Sequence, residues 1–160
     1  MDHRHLSFLG ALLAFAGVLF AMLLESQGYA PCPLCLIQRW ALGIVGLCLL
    51  LRFFIGARQS LWRQGLSVLA LFFSLTGFAV GLRQLYLQYL APPAKIPQCL
   101  GDVEAIFHHL PFWQAVQTLF KGTSDCALID WQWLGLSLAA YASMAFLLLS
   151  VLIVMTFKNS

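Results

Sequence analysis

Charge is scarce in this sequence. Only nine lysines and arginines and six aspartates and glutamates occur among 160 residues, of which 61% are hydrophobic. That leaves too little polar surface to cover a globule of this size in water, so a soluble domain is excluded and a membrane protein is implied. The small net charge of +3 does not call for nucleic acid as a partner, because basic residues gathered on one side of a bilayer account for it. No unit repeats at a fixed period and no low-complexity tract occurs, which leaves one domain spanning 1–160. Histidine is rare: His3 and His5 stand in the N-terminal tail, and His108 and His109 have no cysteine at ligand spacing, so they read as surface residues. No A-x-A site follows the first apolar run before Pro31, and that run is too long for a signal-peptide core. It reads as a retained helix.

Four apolar stretches are present: Leu6 to Leu24, Leu36 to Ile55 with an arginine near each end, Gly65 to Leu82 and Trp131 to Phe157. Each is long enough to cross a hydrocarbon layer of about 30 Å. The expected fold is an all-α membrane protein, a four-transmembrane-helix bundle with spans at about 6–24, 36–55, 65–86 and 132–157. Outward loops are expected at about 25–35 and 91–131. Arg4, Arg52, Arg58, Arg63 and Lys158 fall at one end against Asp2. The other end mixes Arg39, Arg83, Lys95 and Lys121 with Glu25, Asp102, Glu104, Asp125 and Asp130. The basic end is therefore read as cytoplasmic, with both termini, and the cysteine-bearing loops as facing an oxidising outer compartment. In the long loop, Pro92, Pro93 and Pro97 favour extended backbone leading into Cys99. Beyond it, Ile106, Leu110, Trp113, Val116 or Gln117, and Phe120 recur mostly at three- and four-residue steps over Val103 to Phe120. They predict a short helix, lying in the membrane interface or packed on the bundle top, with Pro111 as a break. Tyr86, Tyr89, Trp131 and Trp133 sit where an aromatic belt belongs.

Four of the five cysteines belong to the outer end: Cys32 and Cys35 as a C-x-x-C pair opening the second span, then Cys99 and Cys126 in the long loop. A C-x-x-C pair at a helix start suits redox chemistry, since the positive helix end favours thiolate and the spacing lets two sulfurs close a small ring. Haem attachment would need histidine after Cys35, where Leu36 stands. Zinc on all four cysteines satisfies the ligand count but not the close spacing of a second pair. A purely structural disulfide stays open. Arg39 lies one turn below Cys35 on the same helix face, where charge is costly. It reads either as a snorkelling arginine or as a fixed cation that holds negative charge on Cys35 and on a bound electron acceptor. Glu25 is its salt-bridge partner or a solvated loop charge. Cys48, about 20 Å further along the helix, reads as a buried inert thiol.

On these residues the chain resembles the bacterial inner-membrane disulfide bond formation protein B (DsbB) family of quinone-linked thiol oxidases. The resemblance covers nearly the whole chain: four spans, Glu25 ahead of Pro31-Cys32-Pro33-Leu34-Cys35, and Gln38-Arg39, then Gly122-Thr123-Ser124-Asp125-Cys126 and Trp131 to Ser137. Where some members carry a histidine near the end of the third span, Gln84 or Gln88 stands nearby. The resemblance implies that Cys32 and Cys35 hand electrons to ubiquinone or menaquinone beside Arg39, and that Cys99 and Cys126 meet a periplasmic DsbA-like thioredoxin-fold partner. Rival readings are a reductase of the vitamin K epoxide reductase type, whose active pair belongs near the last span, and a transporter or scaffold with structural cysteines.

Overall fold

The computed structural model describes residues 3–29, 32–55, 60–92, 111–121, 124–129 and 131–158. Four of its helices are long and apolar enough to span a membrane. They run His3–Ser26, Pro33–Phe54, Ser60–Tyr89 and Leu138–Lys158. The second packs on the first and third, and the fourth packs on the third and first, while the second and fourth scarcely meet. The result is a four-cornered, four-transmembrane-helix bundle, as the composition implied. With 30 residues the third span is the longest, about 45 Å at 1.5 Å per residue. Its last turns therefore carry Gln84 and Gln88 beyond mid-membrane to the outer end.

Small residues bring the helices together where lipid supplies no hydrophobic driving force. Ala11, Ala14 and Ala41 are buried with Val45, Leu49, Phe146 and Ile153 in one continuous core. A methyl group on Gly46 would sit 3.2 Å from the Ala14 methyl, which measures how closely the first and second spans approach. At Gly77 the ring of Phe146 occupies the space a side chain would fill. Large apolar residues such as Leu19, Leu61, Trp62 and Phe72 are exposed, as suits a surface that faces acyl chains. Hydroxyls bridge the third and fourth spans: Ser74 Oγ donates to the Phe146 carbonyl at 3.0 Å and lies 3.0 Å from Ser150 Oγ. Cys48 is buried in this core.

At the end opposite the cysteines, Arg52 is only 1% exposed. Its guanidinium donates to the carbonyls of Thr156 at 3.0 Å and Arg63 at 3.5 Å, and to the hydroxyl of Ser67. One side chain thereby ties three spans, a role that its charge alone did not announce.

Two elements differ from the sequence expectation. The fourth span begins at Leu138 rather than near 132, because Gln132–Trp133 and Leu136–Ser137 pair as a two-stranded antiparallel hairpin. Leu134 (φ 51°) and Gly135 (φ 80°) form its turn in the left-handed region, which a helix does not tolerate. In the long loop the helix runs Phe112–Lys121, starting directly after Pro111. Proline disfavours helical backbone in the residue before it, so it marks the boundary. Residues 103–110 of the expected stripe, with His108 and His109, lie outside the described residues.

The packing at Gly77 can be checked by substitution. Gly77→Ala should lower the thermal unfolding midpoint in detergent, at a cost of about 1–3 kcal/mol for overpacking against Phe146. Gly43→Ala, where nothing among the described residues lies within 4 Å of the added methyl, should leave the midpoint unchanged or raise it slightly.

Candidate functional site

The outer end is assembled from helix termini. Gly28, at φ 96°, ends the first span in a Schellman motif, with Tyr29 N–H donating to the Leu24 carbonyl at 3.3 Å and Gly28 N–H to the Glu25 carbonyl at 2.9 Å. Glu25 is thereby held in the last turn. Across from it, Cys32 caps the second span with extended backbone (φ −69°, ψ 160°), and Pro33 occupies the first helical position. The Cys35 N–H donates to Cys32 Sγ at 3.4 Å, so a thiol stands where a serine or aspartate oxygen commonly caps a helix.

The sulfurs converge at this cap. Cys32 and Cys35 are free thiols in this structure, and Cys32 Sγ donates to Cys35 Sγ across 3.0 Å. Cys126 comes from the 3-10 turn Ser124–Ala127, is 0% exposed, and is buried in one cluster with Cys32, Leu34, Val80 and Leu87. A hydrogen bond with Cys126, a second with Cys35, and burial together hold the Cys32 thiol far above the ordinary thiol range. Cys32 therefore keeps its proton. Cys35 instead gathers donors: the Cys32 thiol and the Gln84 amide, whose Nε2 lies 3.1 Å from Cys35 Sγ and 3.4 Å from Cys32 Sγ. Negative charge on the pair has most support at Cys35.

One turn deeper, Arg39 Nη1 lies 2.5 Å from Glu25 Oε2, and Nη2 donates to the Ala21 carbonyl at 3.3 Å. Arg39 is 18% exposed and Glu25 46%. The ion pair joins the first span to the second under the cysteines and resolves the open question over Glu25. Two cavities meet there. One, of about 80 Å³, is lined by Cys32, Cys35, Arg39, Gln84, Gln88 and Trp131 among others. The other, of about 180 Å³, is an apolar cleft between the first, second and fourth spans, bordered by Phe20, Cys35, Gln38, Arg39, Leu138 and Tyr141 among others. Cys35 and Arg39 belong to both walls. An aromatic rim stands over them. The Trp131 ring lies edge-on to Phe20 at 5.6 Å and to Tyr141 at 6.1 Å, and Tyr141 Oη donates to the Trp133 carbonyl at 2.9 Å.

Thus Cys32, Cys35, Cys126 and Arg39 come together, while Cys99 lies outside the described residues. Among the described residues no group of three or more histidine, cysteine, aspartate or glutamate side chains is arranged to hold a metal ion. Sequence reasoning did not anticipate the hydrogen bonds from Gln84 to both sulfurs. The available signal was a polar amide on an otherwise apolar span. It also read Trp131 only as an interfacial anchor, whereas the ring belongs to the rim of the site.

The family described as disulfide bond formation protein DsbB matches residues 3–156. The chain is similar to proteins named disulfide bond formation protein B in several bacteria. A protein of an Azoarcus species is 37% identical over 143 residues, 88% of this chain and 80% of the relative. A protein of Marinobacter nauticus is 39% identical over 126 residues, 79% of this chain and 74% of the relative. A protein of Acinetobacter baylyi is 32% identical over 153 residues, 95% of this chain and 88% of the relative. No solved structure matches.

The unequal environments of the two sulfurs set an order of reaction. When the reduced protein is alkylated with iodoacetamide over about pH 6 to 9, peptide mass mapping should find Cys35 modified before Cys32, because thiolate is the reacting form and Cys32 retains its proton. Faster labelling of Cys32 would contradict this assignment.

Proposed function

The chain belongs to the disulfide bond formation protein DsbB family, and from that premise we propose how its residues divide the work. It is a membrane disulfide oxidoreductase, an enzyme that acts as a quinone-dependent thiol oxidase. The electron donor in our proposal is a periplasmic DsbA-like protein of thioredoxin fold, and the acceptor is ubiquinone or menaquinone. The observation that carries the reading is the run of sulfurs from Cys126 through Cys32 to Cys35, ending at the Arg39 wall of an apolar cleft.

The exchange begins outside. A thiolate of the reduced partner attacks Cys99 in a Cys99–Cys126 disulfide; that bond breaks and Cys126 leaves as the thiolate. Cys126 then attacks Cys32 of a Cys32–Cys35 disulfide, and Cys35 leaves as the thiolate. The partner's second thiol displaces Cys99 to close the partner's disulfide. Cys99 displaces Cys32 from Cys126, restoring the loop disulfide. Two electrons have moved, and Cys32 and Cys35 stand reduced. The close approach of Cys126 to Cys32, with the shared bonds of Gln84, supports this order.

Cys32 keeps its proton and donates it toward Cys35, so charge gathers on the sulfur that borders the cleft. Arg39 holds a positive charge beside that sulfur, and the ion pair with Glu25 keeps its guanidinium at the rim. The cleft suits a quinone. Its wall is apolar for the ring and tail, and it is bounded by membrane-spanning helices. A quinone bound there would supply the oxidising power, accepting the two electrons and two protons of the dithiol as the Cys32–Cys35 bond closes. We place the cysteine end on the periplasmic face of the inner membrane, with both termini cytoplasmic. The basic residues Arg4, Arg52 and Arg63 at the far end support that orientation.

Purified protein, a reduced thioredoxin-fold partner and a soluble short-chain quinone test this reading by quinone absorbance. Arg39→Gln should raise the apparent KM for quinone by about 10- to 100-fold, the worth of one hydrogen bond to a charged group. Trapping of the partner as a mixed disulfide should persist in that variant. Cys99→Ser should abolish that trapping while quinone still binds. Trapping through Cys126 alone would reverse the assignment of the two loop cysteines.

A further inference from the structure

One polar group at the site remains without a function. Gln38 lies three residues beyond Cys35, next to Arg39, and borders the apolar cleft with both. It is 4% exposed, and its Nε2 is buried without a hydrogen-bond partner among the described residues. In a hydrocarbon setting such an amide calls for an explanation, since no water is at hand to satisfy it. Only the unclothed backbone of Gly81 makes room for it. A Cβ at Gly81 would lie 2.8 Å from Gln38 Nε2 and would overlap Ser143 Oγ.

The buried nitrogen and the Ser143 hydroxyl thus share one recess between the second, third and fourth spans. Ser143 Oγ donates to the Ala139 carbonyl at 2.8 Å, a back-bond within its own helix that already has the helical amide as a competing donor. The terminal torsion of a glutamine is soft and roughly two-fold. A half-turn of the amide puts its oxygen in the recess, where the Ser143 hydroxyl can donate to it. The same half-turn turns its N–H groups toward the cleft.

We propose that Gln38 is a second quinone-binding donor: its rotated amide donates to a carbonyl oxygen of the quinone in the cleft, and Ser143 holds the amide oxygen in place. The assignment rests on the quinone reading above. An uncharged donor complements Arg39, because it adds a directional bond to a ligand oxygen without competing for the charge on Cys35. It also favours the reduced ligand, whose oxygens carry more negative charge as electrons arrive. Gln38 is then a binding residue and Ser143 a positioning residue for it.

Two measurements on the purified full-length protein test this. Equilibrium binding of a short-chain ubiquinone is read by quenching of tryptophan fluorescence, and turnover with reduced partner gives kcat and KM. Gln38→Leu should weaken binding and raise the quinone KM about tenfold, equivalent to ~1.4 kcal/mol, with the unfolding midpoint unchanged or raised. Ser143→Ala should give a smaller shift in the same direction. A folded Gln38→Leu variant with wild-type quinone affinity overturns the assignment, and so does an unchanged Ser143→Ala variant should Gln38→Leu fail to fold. The outcomes separate from the parent reading. Loss of quinone affinity in Arg39→Gln but not in Gln38→Leu removes only Gln38, whereas absence of quinone binding by the wild-type protein removes both.

Discussion

A cation placed one helical turn below a cysteine pair, where water gives way to hydrocarbon, is the constraint around which the outer end of this bundle is arranged. An unpaired guanidinium at that depth is costly, and a fully neutralised one would lend nothing to a nearby sulfur. The structure takes a middle course. Glu25 pairs with Arg39 but is itself nearly half exposed, so solvent screens the pair. The Ala21 carbonyl takes a second donor. On its other side Arg39 lines both cavities together with Cys35. The glycine-ended first span matters for this reason: without the left-handed turn at Gly28 the chain would not leave Glu25 in the last turn facing Arg39.

The same geometry distinguishes two sulfurs that the sequence presents as a symmetric pair. Cys32 stands at the cap with Cys126 against it, and Cys35 stands inside the first turn with Gln84 and the cleft against it. One faces Cys126 and, as a free thiol, holds its proton. The other collects hydrogen bonds and borders the apolar cleft. A thiol relay needs that asymmetry, because the sulfur that is attacked and the sulfur that leaves must differ for electrons to travel one way. Gln84 reaches both, so it can follow the charge as it passes between them.

Much of this was legible in the residues. Apolar runs with scarce charge carry the four spans because bilayer thickness dictates length more strictly than any soluble core does. The C-x-x-C pair, Arg39 one turn below it and the buried Cys48 follow from helical spacing alone. Other features depend on contacts that spacing does not encode. The hairpin before the fourth span is as free of charge as the apolar run it opens, and the left-handed backbone at Leu134 and Gly135 separates the two. Arg52 counted as a topological charge, yet its side chain turns inward to carbonyls on two other helices. Gln84 and Gln38 are amides in apolar helices; which way they face is decided by the neighbouring spans, and no periodicity within one helix reveals it.

The burial of Cys126 has a consequence for selectivity. A sulfur with no exposed surface, packed against Leu34, Val80 and Leu87, is closed to stray thiols such as glutathione and to water. Were it also the sulfur that meets the partner, the partner would have to enter the bundle. The proposed division of labour between a loop cysteine and this buried one would let a soluble protein dock outside while the second exchange occurs in a closed space. Cys126 sits in a four-residue 3-10 turn rather than a long helix, so few backbone bonds hold it in place. In the proposed exchange, moving it between a loop disulfide and Cys32 requires the loss of little regular structure, so the four spans can stay packed while the sulfur changes partners.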